Sequence, residues 1–181
     1  MIKLLFQKAR TFTCGALLLI AMACVIVVIV TPSKVVAEQL GSATPAYLEV
    51  RSLRSGKVEN SITLSRDKLL AAPLTKITTT TPWTEGLQEF EGVPLKGLIR
   101  AVSENVLIKL IALNDYTVTL QSSELSDEFP IVAFKMNGKT LRVRDRGPFW
   151  IIYPFDKPEY KSEKFFAQSV WQLKAIDIIL K

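Results

Sequence analysis

The sequence contains no histidine, and its two cysteines, Cys14 and Cys24, both fall within the first 24 residues. From residue 25 onward the chain offers neither an imidazole nor a thiolate. Zinc, haem and non-haem iron sites built on those ligands are therefore excluded from that stretch. Ser-His-Asp and Cys-His catalysis are excluded with them, and so is any disulfide. No internal repeat is visible either. The formal net charge of +6 looks like a nucleic-acid footprint at first sight. Four of the basic residues, Lys3, Lys8, Arg10 and Lys34, precede residue 38, and no acidic residue does. The remainder carries 19 basic against 17 acidic side chains, a net of +2, which is too little for a nucleic-acid surface.

What stands at the start is a signal for export. Lys3, Lys8 and Arg10 precede a run without charge from residue 14 to residue 30, and Pro32 follows it. This pattern predicts a signal peptide cleaved after Ala37, or an uncleaved anchor spanning residues 11–30. With the positive residues on the N-terminal side, either form places the rest of the chain in the periplasm or another extracytoplasmic space, with membrane contact only through this segment. Residues 38–46 are small and polar and read as a tether. Residues 47–181 are enough for one compact domain with a core.

Within that domain, residues 47–52 and 61–64 flank the turn Ser55-Gly56-Lys57 and predict an opening β-hairpin. Ser65 caps a short helix running to Ala71, which Pro73 stops. Residues 74–81 are largely β-branched and read as a strand ending in four threonines, followed by a loop over residues 82–86. Pro94 opens a predicted helix over residues 95–102, with Leu95, Leu98, Ile99 and Val102 on one face. Strands over residues 106–113 and 116–120 are joined by a tight turn at Asn114-Asp115. Residues 122–125 form a helical turn, residues 130–136 a strand, and Asn137-Gly138 a two-residue hairpin turn. Residues 156–164 read as a polar surface loop, and residues 169–180 as a closing strand that buries Val170, Leu173, Ile176 and Ile178. About nine short strands with two or three helices predict a β-rich α+β domain.

The densest chemistry lies in residues 141–156, LRVRDRGPFWIIYPFD. Leu141 and Val143 alternate with Arg142 and Arg144 as on a buried strand, and residues 149–153 read as a second one. Asp145, Arg146 and the Gly147-Pro148 turn lie between them. Guanidiniums stay charged and present planar forks of donors, so Arg142, Arg144 and Arg146 around Asp145 suit a carboxylate, sulfate or phosphate. Asp145 is placed to fix the direction of Arg144. Trp83, on the loop after the threonines, offers a ring to a flat ligand. Trp150, Tyr153 and Trp171 read as core aromatics.

Four segments, taken in order, resemble the oxidoreductase molybdopterin-binding domain of the sulfite oxidase family, in its short exported branch. They are TTTTPWTEG with FEGVPLKGLI (residues 78–99), ALNDYTVTL (residues 112–120), MNGKTLRVRDRGPFWIIYP (residues 136–154) and SVWQLKAIDI (residues 169–178). The resemblance implies a β-rich fold that cradles a pterin-bound molybdenum and receives small oxyanions or sulfoxides at an arginine-lined mouth. It implies a protein cysteine on the metal, at a place that falls within residues 77–81 here, where Thr78 and Thr79 stand. It also raises Asn114, Asp115 and Tyr116 as pocket residues. A threonine alcohol is normally protonated and a far weaker ligand than a thiolate. The expectation is a domain without catalysis that binds a small anion or a pterin-like ligand, molybdopterin among them, as a sensory or accessory module for an exported redox or sensor protein. Two alternatives stay open: an active molybdenum-pterin oxidoreductase with atypical ligation, and a structural docking domain.

Overall fold

The computed structural model describes residues 46–99 and 105–180. The expected export segment, all of the tether but Ala46, and Val102 of the expected second helix lie outside the described residues. Among those residues, no helix is long and apolar enough to cross a membrane.

Among the described residues, ten strands make two sheets, and helices are few and short. Strands β1 (Tyr47–Arg54) and β2 (Lys57–Ser65) form the opening hairpin, with Ser55 and Gly56 at positive φ in its turn. Helix α1 (Arg66–Leu70) follows at once, because the Ser65 side chain accepts from the Lys68 backbone nitrogen and ends the strand. Strands β3 (Thr75–Thr81) and β4 (Thr84–Pro94) form a second hairpin, and helix α2 (Leu95–Leu98) starts where Pro94 presets φ. Strands β5 (Leu107–Ala112) and β6 (Thr117–Gln121) turn at Asn114-Asp115, with Asp115 at φ +64°. Strands β7 (Ile131–Met136) and β8 (Lys139–Thr140) turn at Asn137-Gly138, both in the left-handed region that this pair tolerates. Strand β9 (Trp150–Ile152), helix α3 (Glu163–Gln168) and strand β10 (Leu173–Leu180) complete the chain order.

The first sheet runs β2-β1-β10-β5-β6, and only its β1–β10 pairing is parallel. The second runs β3-β4-β7-β8, with β9 also paired to β7. The second sheet buries both faces, as its sequence requires: Ile131, Val132, Ala133 and Phe134 are consecutive, apolar and fully buried. Val132 and Phe134 face the main core with Leu110, Ile151 and Ile176. Ile131 and Ala133 face a smaller core with Ile77, Phe90, Leu141 and Trp150. Trp83 packs against both.

Four expectations are corrected. The loop over residues 82–86 is only Pro82-Trp83, since Thr84 already pairs with Thr81 and begins β4. The Thr81 hydroxyl pulls the corner tight by meeting the Thr84 hydroxyl at 2.7 Å and accepting from the Trp83 backbone nitrogen at 3.2 Å. Helix α2 stops at Leu98, and Ile99 is its C-cap. The polar stretch 156–164 holds a 3₁₀ turn at Pro158–Tyr160 and the start of α3.

The fourth correction concerns residues 141–146. Strand β8 ends at Thr140, and Val143–Asp145 is a 3₁₀ turn, so Arg142 and Arg144 share no strand face and Val143 is 49% exposed instead of buried. Local contacts override the alternating pattern here. Asp145 and Gly147 backbone nitrogens both donate to Arg142 O at 2.8 Å, and Arg142 Nε donates to Asp145 Oδ2 at 2.5 Å. Gly147 also lies so close to Leu141 that a Cβ there would fall 2.6 Å from its carbonyl. Only glycine lets the loop close this way.

Candidate functional site

Trp83 is the hub from which the site is built. Held at the β3–β4 corner, its ring lies 5.7 Å from Trp171, 5.8 Å from Trp150, 6.0 Å from Phe155 and 6.1 Å from Phe166. Trp171 and Phe166 both stand nearly perpendicular to it, at 81° and 85°. Such edge-to-face contacts are favourable and hold the rings in fixed directions.

Three of these rings open onto a cleft of about 430 Å³, while Trp150 and Phe155 lie outside its lining. Trp83, Phe166 and Trp171 supply aromatic walls, Ala112, Ala167 and Val170 aliphatic ones, and Asn114, Tyr116 and Ser169 the polar groups. Most of the polar groups are already engaged. Asn114 Oδ1 accepts from the Tyr116 backbone nitrogen at 3.2 Å, the Tyr116 hydroxyl donates to Ala167 O at 3.3 Å, and the Ser169 hydroxyl donates to Phe165 O at 2.8 Å. Asp115, between two cleft residues, does not line the cleft. Its carboxylate takes Lys174 Nζ at 2.6 Å, and that hydrogen bond, with the charge behind it, holds the Asp115 carboxyl below its ordinary range.

The three arginines expected to act together separate. Arg142 is paired with Asp145 and exposed, and Arg144 is exposed with no carboxylate partner among the described residues. Arg146 turns inward. At φ +67°, its guanidinium lies 5.6 Å from the Trp150 ring centroid and 6.0 Å from that of Trp171, half-buried and, among the described residues, in no ion pair. Its backbone carbonyl accepts from the Gln172 nitrogen at 2.9 Å, which ties the arginine loop to the segment bearing Trp171. Asp145 therefore directs Arg142, not Arg144.

Thr78 is exposed on β3, while Thr79 is fully buried. The Thr79 hydroxyl donates to Thr80 O at 3.1 Å and accepts from the Asp156 backbone nitrogen at 3.1 Å. Thr80 is held by the Asp156 carboxylate through both its backbone nitrogen and its hydroxyl. Thr79, Thr80 and Thr81 thus spend their hydroxyls within the protein, and Thr78 faces solvent. Among the described residues, no three or more Asp, Glu, His or Cys side chains gather to hold a metal ion. This donor set does not fit a metal ligated by the protein.

Sequence reasoning missed the part played by Trp171, which it assigned to the core, and by Phe166, which lies just past the predicted polar loop. A signal existed in the pairing of an aromatic Trp171 with polar neighbours Ser169 and Gln172 just before a strand. No comparable signal marks Phe166, whose place depends on contacts distant in sequence.

No protein-family model matches the chain, and no curated protein sequence matches it. Among solved structures it is similar to the sulfane dehydrogenase SoxCD from Paracoccus pantotrophus, with a TM-score of 0.52 and 17% identity. The likeness covers 75% of this chain and only 38% of that one. It is a likeness of fold, and it supports the coarse β-rich, molybdopterin-oxidoreductase-like fold expected from the residues.

Proposed function

We propose that this chain is a binding module built on a molybdopterin-oxidoreductase-like fold, without catalytic activity of its own. In this reading residues 1–37 export it, and the domain holds a small anion or a pterin-like ligand for an exported redox or sensor protein. The carrying observation is Arg146, a half-buried guanidinium with no carboxylate partner among the described residues, beside the Trp171 ring that lines the cleft. A charge in that position interacts more strongly with an incoming anion than the solvated Arg144 does.

The threonine strip supports the non-catalytic part. Where the family resemblance implies a thiolate on the metal, Thr79 is a buried alcohol with both its donor and acceptor functions in use. A protonated alcohol has little to offer a metal in place of a thiolate. The fold likeness keeps molybdopterin itself among the candidate ligands, and the aromatic cleft is of a kind that receives flat molecules.

The test is to express the full chain in a host that makes molybdenum cofactor and to measure molybdenum, by elemental analysis, and pterin, by fluorescence after oxidation. The expected result is no stoichiometric molybdenum. Molybdenum and pterin near one per chain would overturn the non-catalytic reading. Calorimetric titration with sulfate, sulfite and phosphate then compares the native chain with Arg146→Ala and Arg144→Ala. Loss of the Arg146 hydrogen bonds to an anion costs on the order of 1.5 to 3 kcal/mol of affinity, whereas Arg144→Ala leaves it unchanged.

A further inference from the structure

We propose that the ligand of the cleft is a planar aromatic or heteroaromatic acid, with its ring among Trp83, Phe166 and Trp171 and its carboxylate at Arg146. This deepens the anion-binding reading above and rests on it. Two independent observations point past a bare oxyanion.

The first is an imbalance of donors. Trp150, just behind the cleft's lining, is fully buried, and among the described residues its indole nitrogen has no acceptor. Among the described residues, no protein acceptor meets the indole nitrogens of Trp83 and Trp171 either, and the Asn114 amide has only its oxygen engaged. The lining thus offers the N–H groups of Trp83, Trp171 and Asn114 and no carboxylate, while Arg146 stands outside the lining, 6.0 Å from the Trp171 ring centroid. Free donors beside a guanidinium favour a ligand that brings acceptors over a cation.

The second is shape and surface. A tetrahedral oxyanion would leave the faces of Trp171 and Phe166, and most of a 430 Å³ space, without contact. Two rings set almost perpendicular to Trp83 present flat faces to whatever enters. A planar ring covers those faces, and its offset or edge contacts with them add to the area it buries. Its acid group takes up Arg146, whose positive charge is otherwise answered only by π faces.

The probe is quinoline-2-carboxylate, titrated by calorimetry and by quenching of tryptophan fluorescence into the full chain. Cyclohexanecarboxylate, neutral quinoline and inorganic sulfate serve as comparisons. Quinoline-2-carboxylate is expected to bind at least roughly tenfold more tightly than each of these. Arg146→Met and Trp171→Ala should each weaken it by about tenfold or more, with Arg146→Lys intermediate and Arg144→Ala unchanged. Trp171 is 37% exposed, so its replacement spares the fold, and thermal melting of each variant verifies this. Sulfate binding equal to that of the quinoline acid would overturn the aromatic part and leave the anion reading standing. Equal binding of neutral quinoline, or full affinity retained in Arg146→Met, would remove the acid. Binding that survives Trp171→Ala unchanged would place the ring elsewhere, and no binding by any acid would end both readings.

Discussion

Asp156 holds Thr80 twice, its Oδ2 accepting from the backbone nitrogen at 2.8 Å and its Oδ1 from the hydroxyl at 2.5 Å. The two residues are 76 apart in sequence. Because β3 is an edge strand, Thr80 would otherwise present a bare N–H at the sheet's border. The carboxylate satisfies that group and blocks pairing with a foreign strand.

The Thr80 hydroxyl bond, followed by the Thr80 backbone bond, lowers the Asp156 pKa below its ordinary 3.8. A carboxylate depressed in the folded state stabilises above its unfolded pKa, and the stabilisation fades as pH falls through the folded value. Asp156→Asn should therefore melt below the native chain near neutral pH, and the gap should close in strong acid. Melting temperature against pH, recorded for both, checks this. A gap independent of pH would mean that the carboxylate's charge contributes nothing.

Gly92 sits at the irregularity between Glu91 and Gly92 in the β4–β7 pairing. A Cβ there would come 2.2 Å from Val132 O and 2.6 Å from Ala133 Cα, both backbone or close to it and buried. Gly92→Ala is expected to destabilise by about 3 kcal/mol, the upper end of ordinary overpacking, because no flexible side chain can yield. Urea unfolding measures the loss. Gly138→Ala meets nothing within 4 Å and serves as the contrast, its effect limited to strain at φ +72°.

Tyr153 is 2% exposed and donates to Gln168 Oε1 at 2.9 Å. Burial, and then the charge of Glu124, push its phenol well above the usual tyrosine range. A raised pKa means that the neutral phenol stabilises the fold below the ordinary value of 10, and that stability drains away as pH rises above it. The native chain should lose melting temperature above pH 10 more steeply than Tyr153→Phe. At neutral pH the order reverses, with the variant weaker by about 1 kcal/mol for the lost hydrogen bond.

Much of the fold was legible because its signals are local. Asn137-Gly138 and Asn114-Asp115 turned where their side chains tolerate positive φ, and Ser65 capped the helix that it precedes. Other features depended on partners that no window of sequence contains. Leu141, Arg142, Val143 and Arg144 alternate like a strand, yet the Asp145 carboxylate and the close approach of Gly147 wind them into a turn. Phe165 and Phe166 fall between the predicted polar loop and the closing strand, and their places are set by Tyr153, Tyr160 and Phe155.

At the candidate site, Trp83 was named for its ring and Asn114 and Tyr116 through the resemblance, and all three line one cleft. Arg142, Arg144 and Arg146 could not be ranked from sequence, because a reversal of chain direction within five residues decides which of them faces inward. Asp115, chosen with its neighbours, points instead to Lys174.

Strand β10 is the last of the ten in chain order and the middle of the first sheet, between β1 and β5. Take its eight residues away and the first sheet falls into two separate hairpins, β1–β2 and β5–β6, with no shared edge. The strand written latest is thus the seam that joins the earlier ones.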